Sequence, residues 1–385
     1  MATICNKKPP KVCFAENPVL IQVYSQLKEK KFLKVHLSVK MVLIQEGVQK
    51  RTSSTELSVP TTGNSEPVMF NISSLLKAAL CQRNVQPLHG VASRYAGGYV
   101  SYSFSHWDSY LDADNQVIVS GKTTQHGLFA VPGGYSDIQR LIFREDTELT
   151  LGKWKILSNR PDWLIHPVNF PFVLPVLRFS ESLSLDPLEV PVMAVSSKGV
   201  SSKVASVRGQ PNEVENTLLS KEWFALSPGN YTVADKLRVT LVPENPLAVY
   251  FEFINRLGAL ESVVCYAKPK EKYKLRFDRN VRHQGYSFRP SSRFSKHISS
   301  EEYIISMTTG PLNRLQSQWF VQEFFHSQSC WMFDNDLQQM VPVVIESESG
   351  SVYDFSSPGV IDLDFDVVRS YNGYLTGGNF SSDNG

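Results

Sequence analysis

LKVHLSVKM, residues 33–41, is the stretch that decides the fold class of this chain. Apolar residues hold every odd-numbered position, and Lys, His or Ser holds every even-numbered one. Because successive side chains of a β-strand point to opposite faces, this alternation predicts a strand with one buried and one solvated face. The same pattern recurs at Tyr99–His106, Leu237–Leu241 and Ile361–Val367.

Only two segments carry the spacing of helices. Apolar residues recur at three- and four-residue intervals from Ile72 to Leu80, behind Asn71 as a candidate N-cap, and again from Leu312 to Phe325. Many short strands with two brief helices predict a mainly β chain. We expect two or three β-sandwich or β-barrel-like modules.

The connections between these elements follow from turn residues. Val19–Tyr24 is expected to form a hairpin with residues 33–41 across the charged turn at Lys28–Lys31. Residues 46–67 are rich in Thr, Ser, Gly and Pro, which predicts a long exposed loop.

The length of 385 residues predicts two or three domains, at roughly 100–200 residues each. The stretch 195–211 is rich in Ser and poor in bulky residues, so it is either a flexible loop or an inter-domain strand. We expect an N-terminal arm over 1–13, a first β domain over 14–150, a middle β or irregular segment over 151–245 with a Ser-rich loop at 195–211, a C-terminal β domain over 246–375 with one helix near 312–326, and a flexible tail over 376–385.

Composition narrows the class of protein. Hydrophobic residues make up 42% and charged residues 20%, which suits a folded chain, and a net charge of +2 predicts no field that draws nucleic acid or membranes. The first residues lack the apolar stretch of a secretory signal, and no run approaches the roughly 18 apolar residues of a membrane span. We therefore expect a protein made inside a cell that does not use Sec export, with its five cysteines as free thiols.

No motif predicts catalysis or a metal. Asp362, Asp364 and Asp366 suggest calcium ligands, but Val367 and Gly373 stand where an EF-hand loop needs Gly and Glu. None of the eight histidines has the spacing of a metal motif. His106 and Asp108 can share a strand face as an acid–base pair, but no nucleophile motif accompanies them. The sequence predicts a protein that is not an enzyme and has no cofactor.

A basic segment at 268–296 is the one charged anomaly. It interleaves aromatic residues, which is how proteins grip single-stranded nucleic acid, yet Lys272–Phe277 also alternates as a plain strand with a basic face does. We favour the plain strand and expect the acidic strand at 362–366 as its electrostatic partner, in the same domain or a neighbouring subunit. The candidate interaction surface is Lys268, Lys270, Lys272, Lys274, Arg276, Asp362, Asp364 and Asp366.

The order of several short phrases carries a family resemblance. These phrases are Asn17-Pro18 before a strand, FNISSLL at 70–76, ILSNRP at 156–161, FINRLGA at 253–259, His326-Ser327 at a helix end, and the Val341-Pro342-Val343 strand. In this order the chain resembles distal-tail-like proteins of the tail tip or baseplate in phages and prophages of Bacteroidota. Ala259 stands where such proteins carry a second glycine.

The resemblance implies a virion structural protein that forms a ring or adaptor with copies of itself and neighbouring tail proteins. It implies no catalytic residue and no membrane partner. Two alternatives remain open at this point. One is a carbohydrate- or receptor-binding module that uses exposed Trp107, Trp154 or Trp163, and the other is nucleic-acid binding through 268–296.

Overall fold

The structure is a computed structural model of the whole chain. It describes residues 3–45, 48–63, 66–81, 83, 87, 95–136, 149, 154–161, 163–178, 188–195, 201–209, 214–218, 226–233, 237–283, 292–347 and 361–370. The expected flexible tail over 376–385 lies outside these residues.

Strands dominate the described chain, as the alternation predicted. They are β1 (Thr3–Lys7), β2 (Val12–Phe14), β3 (Leu20–Ser25), β4 (Lys31–Gln45), β5 (Val48–Pro60), β6 (Pro67–Asn71), β7 (Tyr95–Ala96), β8 (Tyr99–Leu111), β9 (Val117–Val119), β10 (Thr123–Val131), β11 (Trp154–Ile156), β12 (Trp163–Pro167), β13 (Val173–Arg178), β14 (Leu188–Val195), β15 (Ser201–Gly209), β16 (Val214–Leu218), β17 (Gly229–Val233), β18 (Leu237–Val242), β19 (Ala248–Ile254), β20 (Leu260–His283), β21 (Ser292–Leu312), β22 (Cys330–Asp334), β23 (Gln339–Glu346) and β24 (Ile361–Ser370).

Both predicted helices are present among the described residues. Helix α1 spans Ser73–Leu80, and its N-cap is Ile72 and not the expected Asn71, although the Asn71 side chain accepts a hydrogen bond from the Ser73 amide. Helix α2 spans Arg314–Trp319 and continues as a π-helical turn over Phe320–Phe325. Asn313 and Gln316 form a reciprocal capping box, which satisfies two amides at the start of α2.

The chain divides into two compact units. The first unit comprises Met1–Pro243 with Glu252–Ser262, and the second comprises Glu244–Phe251 with Val263–Gly385. The expected boundary at 245/246 lies close to the observed one, where the first unit ends at Pro243 and the second begins at Glu244. The segment Glu252–Ser262 belongs to the first unit, whereas we expected it in the C-terminal domain.

The first unit begins with two sheets that enclose a common core. A three-stranded sheet has the order β1-β3-β6, and a six-stranded sheet has the order β2-β10-β8-β4-β5 with β9 beside β8. Apolar side chains from both sheets and from α1 form one cluster, which includes Ile21, Leu37, Phe70, Leu76 and Phe104. The odd-numbered residues of 33–41 are all buried, four of them in this cluster, which confirms the predicted dry face of β4.

The expected hairpin between Val19–Tyr24 and residues 33–41 is wrong. Strand β3 pairs with β1 and β6, whereas β4 pairs with β5 and β8 in the other sheet. The reason is that both strands carry an apolar face, and these faces bury more area when they pack against each other than when they lie side by side.

Three segments for which a loop or an arm was expected contain strands. Most of the expected loop at 46–67 is β5. For 195–211, expected as a Ser-rich loop or an inter-domain strand, residues 201–209 form the strand β15. Part of the expected N-terminal arm, Thr3–Lys7, is β1, paired with β3. Ser and Thr fit a strand whose face is solvated, so their abundance did not mark loops here.

The first unit ends with a second pair of sheets, of order β11-β13-β16-β7 and β12-β18-β17-β14-β15. Leu174 of β13 and Phe172, which comes two residues before it, pack with Tyr231, Val239 and Leu241 from the other sheet. A further apolar cluster, which includes Phe14, Val131, Leu157 and Leu257, packs beside them within this unit.

The second unit is a closed barrel in the order β19-β20-β21-β24-β23-β22. Leu363, Phe365 and Val367 of β24 are buried and the aspartates between them are not, as the alternation predicted. Phe324 of the π-helical turn packs against Phe251 and Phe365, with ring centroids 5.5 and 5.8 Å apart. The modules are therefore β-sandwich-like and barrel-like, which confirms the predicted fold class.

Candidate functional site

The basic and acidic strands of the candidate interaction surface lie in the same barrel, on either side of β21. Lys268 Nζ lies 2.5 Å from Asp364 Oδ2, and Lys272 Nζ lies 4.0 Å from Asp366 Oδ2. Lys274 Nζ lies 3.3 Å from a carboxylate of β21, Glu302. The expected electrostatic partners are therefore found within one chain.

These ion pairs form a solvated face of mixed charge. The Asp364 side chain is 64% exposed, and exposed pairs contribute only about 0–1 kcal/mol each because water screens them. Asp362 is also exposed on β24, while the side chains of Lys270 and Arg276 lie outside the described part of the chain. Three of the basic residues thus have carboxylate neighbours, which weakens the case for nucleic acid and suits a protein surface.

The hairpin of β20 and β21 extends farther than its neighbour β24. Strand β21 pairs with β24 from Glu302 to Leu312, whereas the β20–β21 pairing continues to His283 and Ser292. The register in this extension sets Arg279 opposite Lys296 and Arg282 opposite Arg293.

A buried polar network lies in the first unit and is centred on Asn255 and Glu261. Asn255 Nδ2 donates to the Leu157 carbonyl at 2.7 Å and to Glu261 Oε2 at 2.8 Å, and Asn255 Oδ1 accepts from the Ala259 amide at 3.0 Å. Ser158 Oγ donates to the other oxygen of Glu261. One buried carboxylate thereby joins residues from two distant segments.

Arg160 completes this network. Its Nε lies 3.3 Å from Glu261 Oε1, its Nη2 donates to the Ser262 carbonyl, and its guanidinium lies 5.3 Å from the centre of the Phe172 ring. The Arg160 and Glu261 side chains are 2% and 1% exposed. Because a buried charge is tolerated only beside a close counter-charge, the proximity of Glu261 explains how Arg160 can lie inside the fold.

A small cleft borders the network. It is lined by Ser158, Arg160 and Glu261 together with the apolar residues Ile156, Phe172, Val173, Leu174 and Leu237, and its empty volume is about 420 Å³ with open solvent included. Neither Arg160 nor Glu261 was predicted from the sequence as a site residue. Arg160 does lie in the phrase at 156–161 that carries the resemblance. No periodic pattern in the sequence indicated that Glu261 faces Arg160.

His106 and Asp108 do share a face of β8, and both are buried. They have different partners, because His106 Nδ1 lies 2.9 Å from Thr3 Oγ1 and Asp108 Oδ2 accepts from Ser25 Oγ at 2.6 Å. Burial lowers the pKa of His106, with a smaller contribution from Lys8, so the neutral imidazole is favoured. These contacts join β8 to β1 and β3 across the core, which is a structural role.

The three tryptophans proposed for sugar stacking differ in exposure. Trp107 is buried on the other face of β8, stacked on His36 at 5.2 Å and covered by Lys122 Nζ at 4.0 Å from its ring. Trp163 is 40% exposed, and its Nε1 donates to Thr240 Oγ1 at 3.0 Å. The side chain of Trp154 lies outside the described part. Of the two that are described, only Trp163 offers a ring to solvent.

Within the described ranges, no three His, Cys, Asp or Glu side chains cluster as metal ligands do. None of the described helices is both long and apolar enough to cross a bilayer.

Comparison with protein-family models finds no match, and neither does comparison with curated proteins. Among the solved structures that match, the crystal structure of CBD12 from CALX1.2 is similar at 8% sequence identity and a TM-score of 0.18. The match covers 60% of this chain and 79% of that chain. A similarity this weak carries no argument about the fold or function.

Proposed function

We propose that this chain is a non-enzymatic structural protein of a phage tail end, made in the host cytoplasm and built into the virion. In this role it contacts copies of itself in a ring and neighbouring tail proteins, as an adaptor or baseplate component. Closed cyclic symmetry is the usual outcome when identical subunits contact each other head to tail.

The buried polar network is the observation that carries this proposal. The phrases at 156–161 and 253–259 both carry the resemblance, and Leu157 and Asn255 within them are 98 residues apart. Both phrases supply residues to one network, in which each would be unsatisfied without the other. Two sequence phrases whose residues need each other as hydrogen-bond partners belong to one fold pattern. This supports the resemblance to the family over both phrases together.

The mixed-charge face of the barrel supports the same proposal. Exposed lysines and aspartates beside one another favour a partner surface with an alternating charge pattern over a uniform polyanion. Subunits of a virion meet such surfaces in their neighbours. The charges then set which neighbour fits and in which orientation, more than they set the affinity.

Mass spectrometry and immunogold electron microscopy of purified particles test the proposal. Particles are prepared from the strain whose genome encodes the chain, and the major capsid protein in the same sample serves as the control for recovery. We expect the chain in the particles and the gold label at one end of the tail. Particles that contain capsid and tail proteins but lack this chain would refute the proposal.

A second candidate function is glycan or receptor binding, and the exposed ring of Trp163 favours it. Thr240 Oγ1 accepts from Trp163 Nε1 and donates to Asn230 Oδ1 at 2.8 Å, so the indole is held in place beside polar groups. A glycan array with the intact chain, Trp163→Ala and the control Phe32→Ala tests this. Phe32 is 75% exposed, so a loss of binding in Trp163→Ala alone identifies a specific platform. Equal binding by all three chains removes the candidate.

A further inference from the structure

Three polar side chains lie in series across the solvated face of the six-stranded sheet. His36 of β4 lies between Glu56 of β5 and Ser109 of β8. Its Nδ1 is 3.2 Å from Glu56 Oε1, and its Nε2 is 2.7 Å from Ser109 Oγ. The sheet therefore brings a carboxylate, an imidazole and a hydroxyl into hydrogen-bond contact in that order.

The register of the three strands explains why these side chains meet. Ser58 of β5 and Trp107 of β8 are the residues directly opposite His36. Glu56 and Ser109 each lie two residues from those positions, so both are diagonal neighbours of His36 on the same face. The Trp107 ring stacks on the imidazole, with ring centroids 5.2 Å apart and an angle of 4° between the planes, which restrains the imidazole between its two partners.

The carboxylate sets the position of the proton on the imidazole. An ionised carboxylate only accepts hydrogen bonds, so in the neutral imidazole the proton lies on Nδ1 and is donated to Glu56. The lone pair of Nε2 then faces Ser109 and accepts a hydrogen bond from its Oγ. In this arrangement a histidine can take the proton of a serine hydroxyl while that hydroxyl attacks an electrophile.

Apolar side chains border the Ser109 hydroxyl on the side of β9. Val119 is opposite Ser109 in the pairing of β8 with β9, so the two side chains point to the same face. Val117 lies two residues from Val119 and shares that face. Both valines are exposed, and an electrophile that approaches Ser109 therefore meets an apolar surface beside the hydroxyl.

We propose that Ser109 is a covalent modification site that takes an apolar acyl group from a carboxylic ester. Ser109 Oγ attacks the ester carbonyl carbon, and its proton passes to His36 Nε2. The tetrahedral adduct then breaks its bond to the leaving alcohol, which departs with that proton, and the acyl group stays on Ser109 as an ester. This inference goes beyond the proposed function and does not depend on it.

The place of Ser109 in the sheet indicates one acylation without turnover. Strand β8 has β4 on one side and β9 on the other at Ser109, so the backbone amides there serve the sheet. Serine hydrolases use free amides to hold the oxyanion, and loss of one such donor lowers the rate by about 10²–10³. An acyl-serine has a poor alkoxide leaving group, so it hydrolyses far more slowly than it forms from an activated ester. A protein with a structural role can carry such a modified serine.

Peptide mapping by mass spectrometry, after exposure of the chain to p-nitrophenyl hexanoate, tests the proposal. A Cys81→Ser background removes the exposed thiol, which would also react. Ser105 is the control within the same molecule, since it lies on the same face of β8 and its Oγ is 2.8 Å from Thr124 Oγ1. General-base catalysis contributes roughly 10²–10⁴ in rate, so we expect acylation of Ser109 to be at least about a hundredfold faster than that of Ser105. Equal rates at the two serines overturn the proposal.

Substitutions at the two partners separate their roles. His36→Gln should lower the acylation rate of Ser109 to that of Ser105. Glu56 is a positioning residue, because it acts through the tautomer and orientation of His36, and we expect Glu56→Ala to lower the rate about tenfold. Glu56→Gln should recover part of this loss, since its amide oxygen can still accept from Nδ1. A Ser109 rate that His36→Gln leaves unchanged refutes the proposal, and so does a Glu56→Ala chain that reacts as fast as the unchanged one.

The length of the acyl chain tests the apolar surface. Relative to Ser105, we expect Ser109 to prefer p-nitrophenyl hexanoate over p-nitrophenyl acetate by at least about threefold, because the longer chain buries apolar area against the valines. Val119→Thr keeps the shape of the side chain and should reduce this preference. Circular dichroism verifies that each variant is folded. The same preference in the Val119→Thr variant as in the unchanged chain would show that the valines do not hold the acyl group, which overturns this part of the proposal.

Discussion

Asn255 reaches across 98 residues of sequence to donate a 2.7 Å hydrogen bond to the carbonyl of Leu157. The same amide nitrogen also donates to Glu261, and its oxygen accepts from the Ala259 amide. A residue that sits in a turn between two strands is thereby the node of a buried network. The network holds the Glu252–Ser262 segment within the first unit, although the chain on either side of it belongs to the second.

Asn255→Ala should destabilise the first unit substantially. It leaves the Leu157 carbonyl and one oxygen of Glu261 without their donor and the Ala259 amide without its acceptor, at about 1–3 kcal/mol for a buried unsatisfied group. We expect a loss of about 2–4 kcal/mol in urea unfolding. Asn6→Ala is the control, because Asn6 is exposed and bonds only one side chain, Gln22, among the contacts seen. Similar losses for both variants would show that the network is not stabilising.

Gly133→Ala should be strongly destabilising for a different reason. Gly133 has a φ of +80°, and a Cβ there would lie 2.1 Å from the carbonyl carbon of Leu257. Both the left-handed backbone and the backbone clash oppose the substitution, so we expect at least about 2 kcal/mol of lost stability or an insoluble product. Gly121→Ala is the matched control, since nothing lies within 4 Å of its Cβ position. Thermal unfolding of both variants measures the loss. An unchanged Tm for Gly133→Ala would contradict the close packing of Gly133 against Leu257.

Acid should weaken the first unit through His166. Burial lowers the pKa of His166 to about 4, while the unfolded residue titrates near roughly 6.5. Between these values the unfolded chain binds a proton that the folded chain does not, so stability is full above about pH 6.5 and falls as the pH drops towards 4. The loss approaches about 3 kcal/mol.

Urea unfolding from pH 7.5 to 4.5 measures this dependence. His166→Gln should flatten the profile because the titrating group is gone, and the exposed residue His126 provides the control substitution, His126→Gln. A His166→Gln profile as steep as that of the unchanged chain would assign the acid sensitivity to other groups.

Nucleic-acid binding by the barrel should increase when a lysine loses its carboxylate. Asp364→Asn leaves Lys268 without its 2.5 Å partner, so we expect elution from single-stranded DNA resin at higher salt than the unchanged chain. Asp362→Asn is the control, because it makes the same charge change on the same strand and none of the ion pairs seen in the described residues involves Asp362. Equal shifts for both variants would mean that net charge alone sets retention.

Local pattern predicted individual elements well. The alternation at 33–41 and at 361–367 identified the strand and its dry face, and both helices began close to the predicted positions. Composition predicted connections badly, since the Ser- and Thr-rich residues of β5 and β15 form strands. A solvated edge strand buries too little apolar area for its sequence to differ from that of a loop.

The candidate site was likewise predicted only in part. The sequence predicted both charged strands and the attraction between them, but it left open whether they meet within one chain or between two. Glu261 was not predicted as a site residue, because a single acidic residue in an apolar strand belongs to no periodic pattern and to no motif with a defined spacing. Its importance comes from Arg160 and Ser158, whose closeness depends on how the strands are arranged.

The sequence by itself determined that this chain is built mainly of strands, where the alternating strands lie, and which face of those strands is dry, because side-chain polarity at a spacing of two residues is a local property. Only the tertiary structure decided which strands are neighbours, that β3 and β4 belong to different sheets, and that Arg160, Asn255 and Glu261 meet. Those outcomes depend on the packing of apolar faces from distant segments. Any one strand could bury its apolar face in many different pairings. Only the complete set of contacts determines which pairing forms.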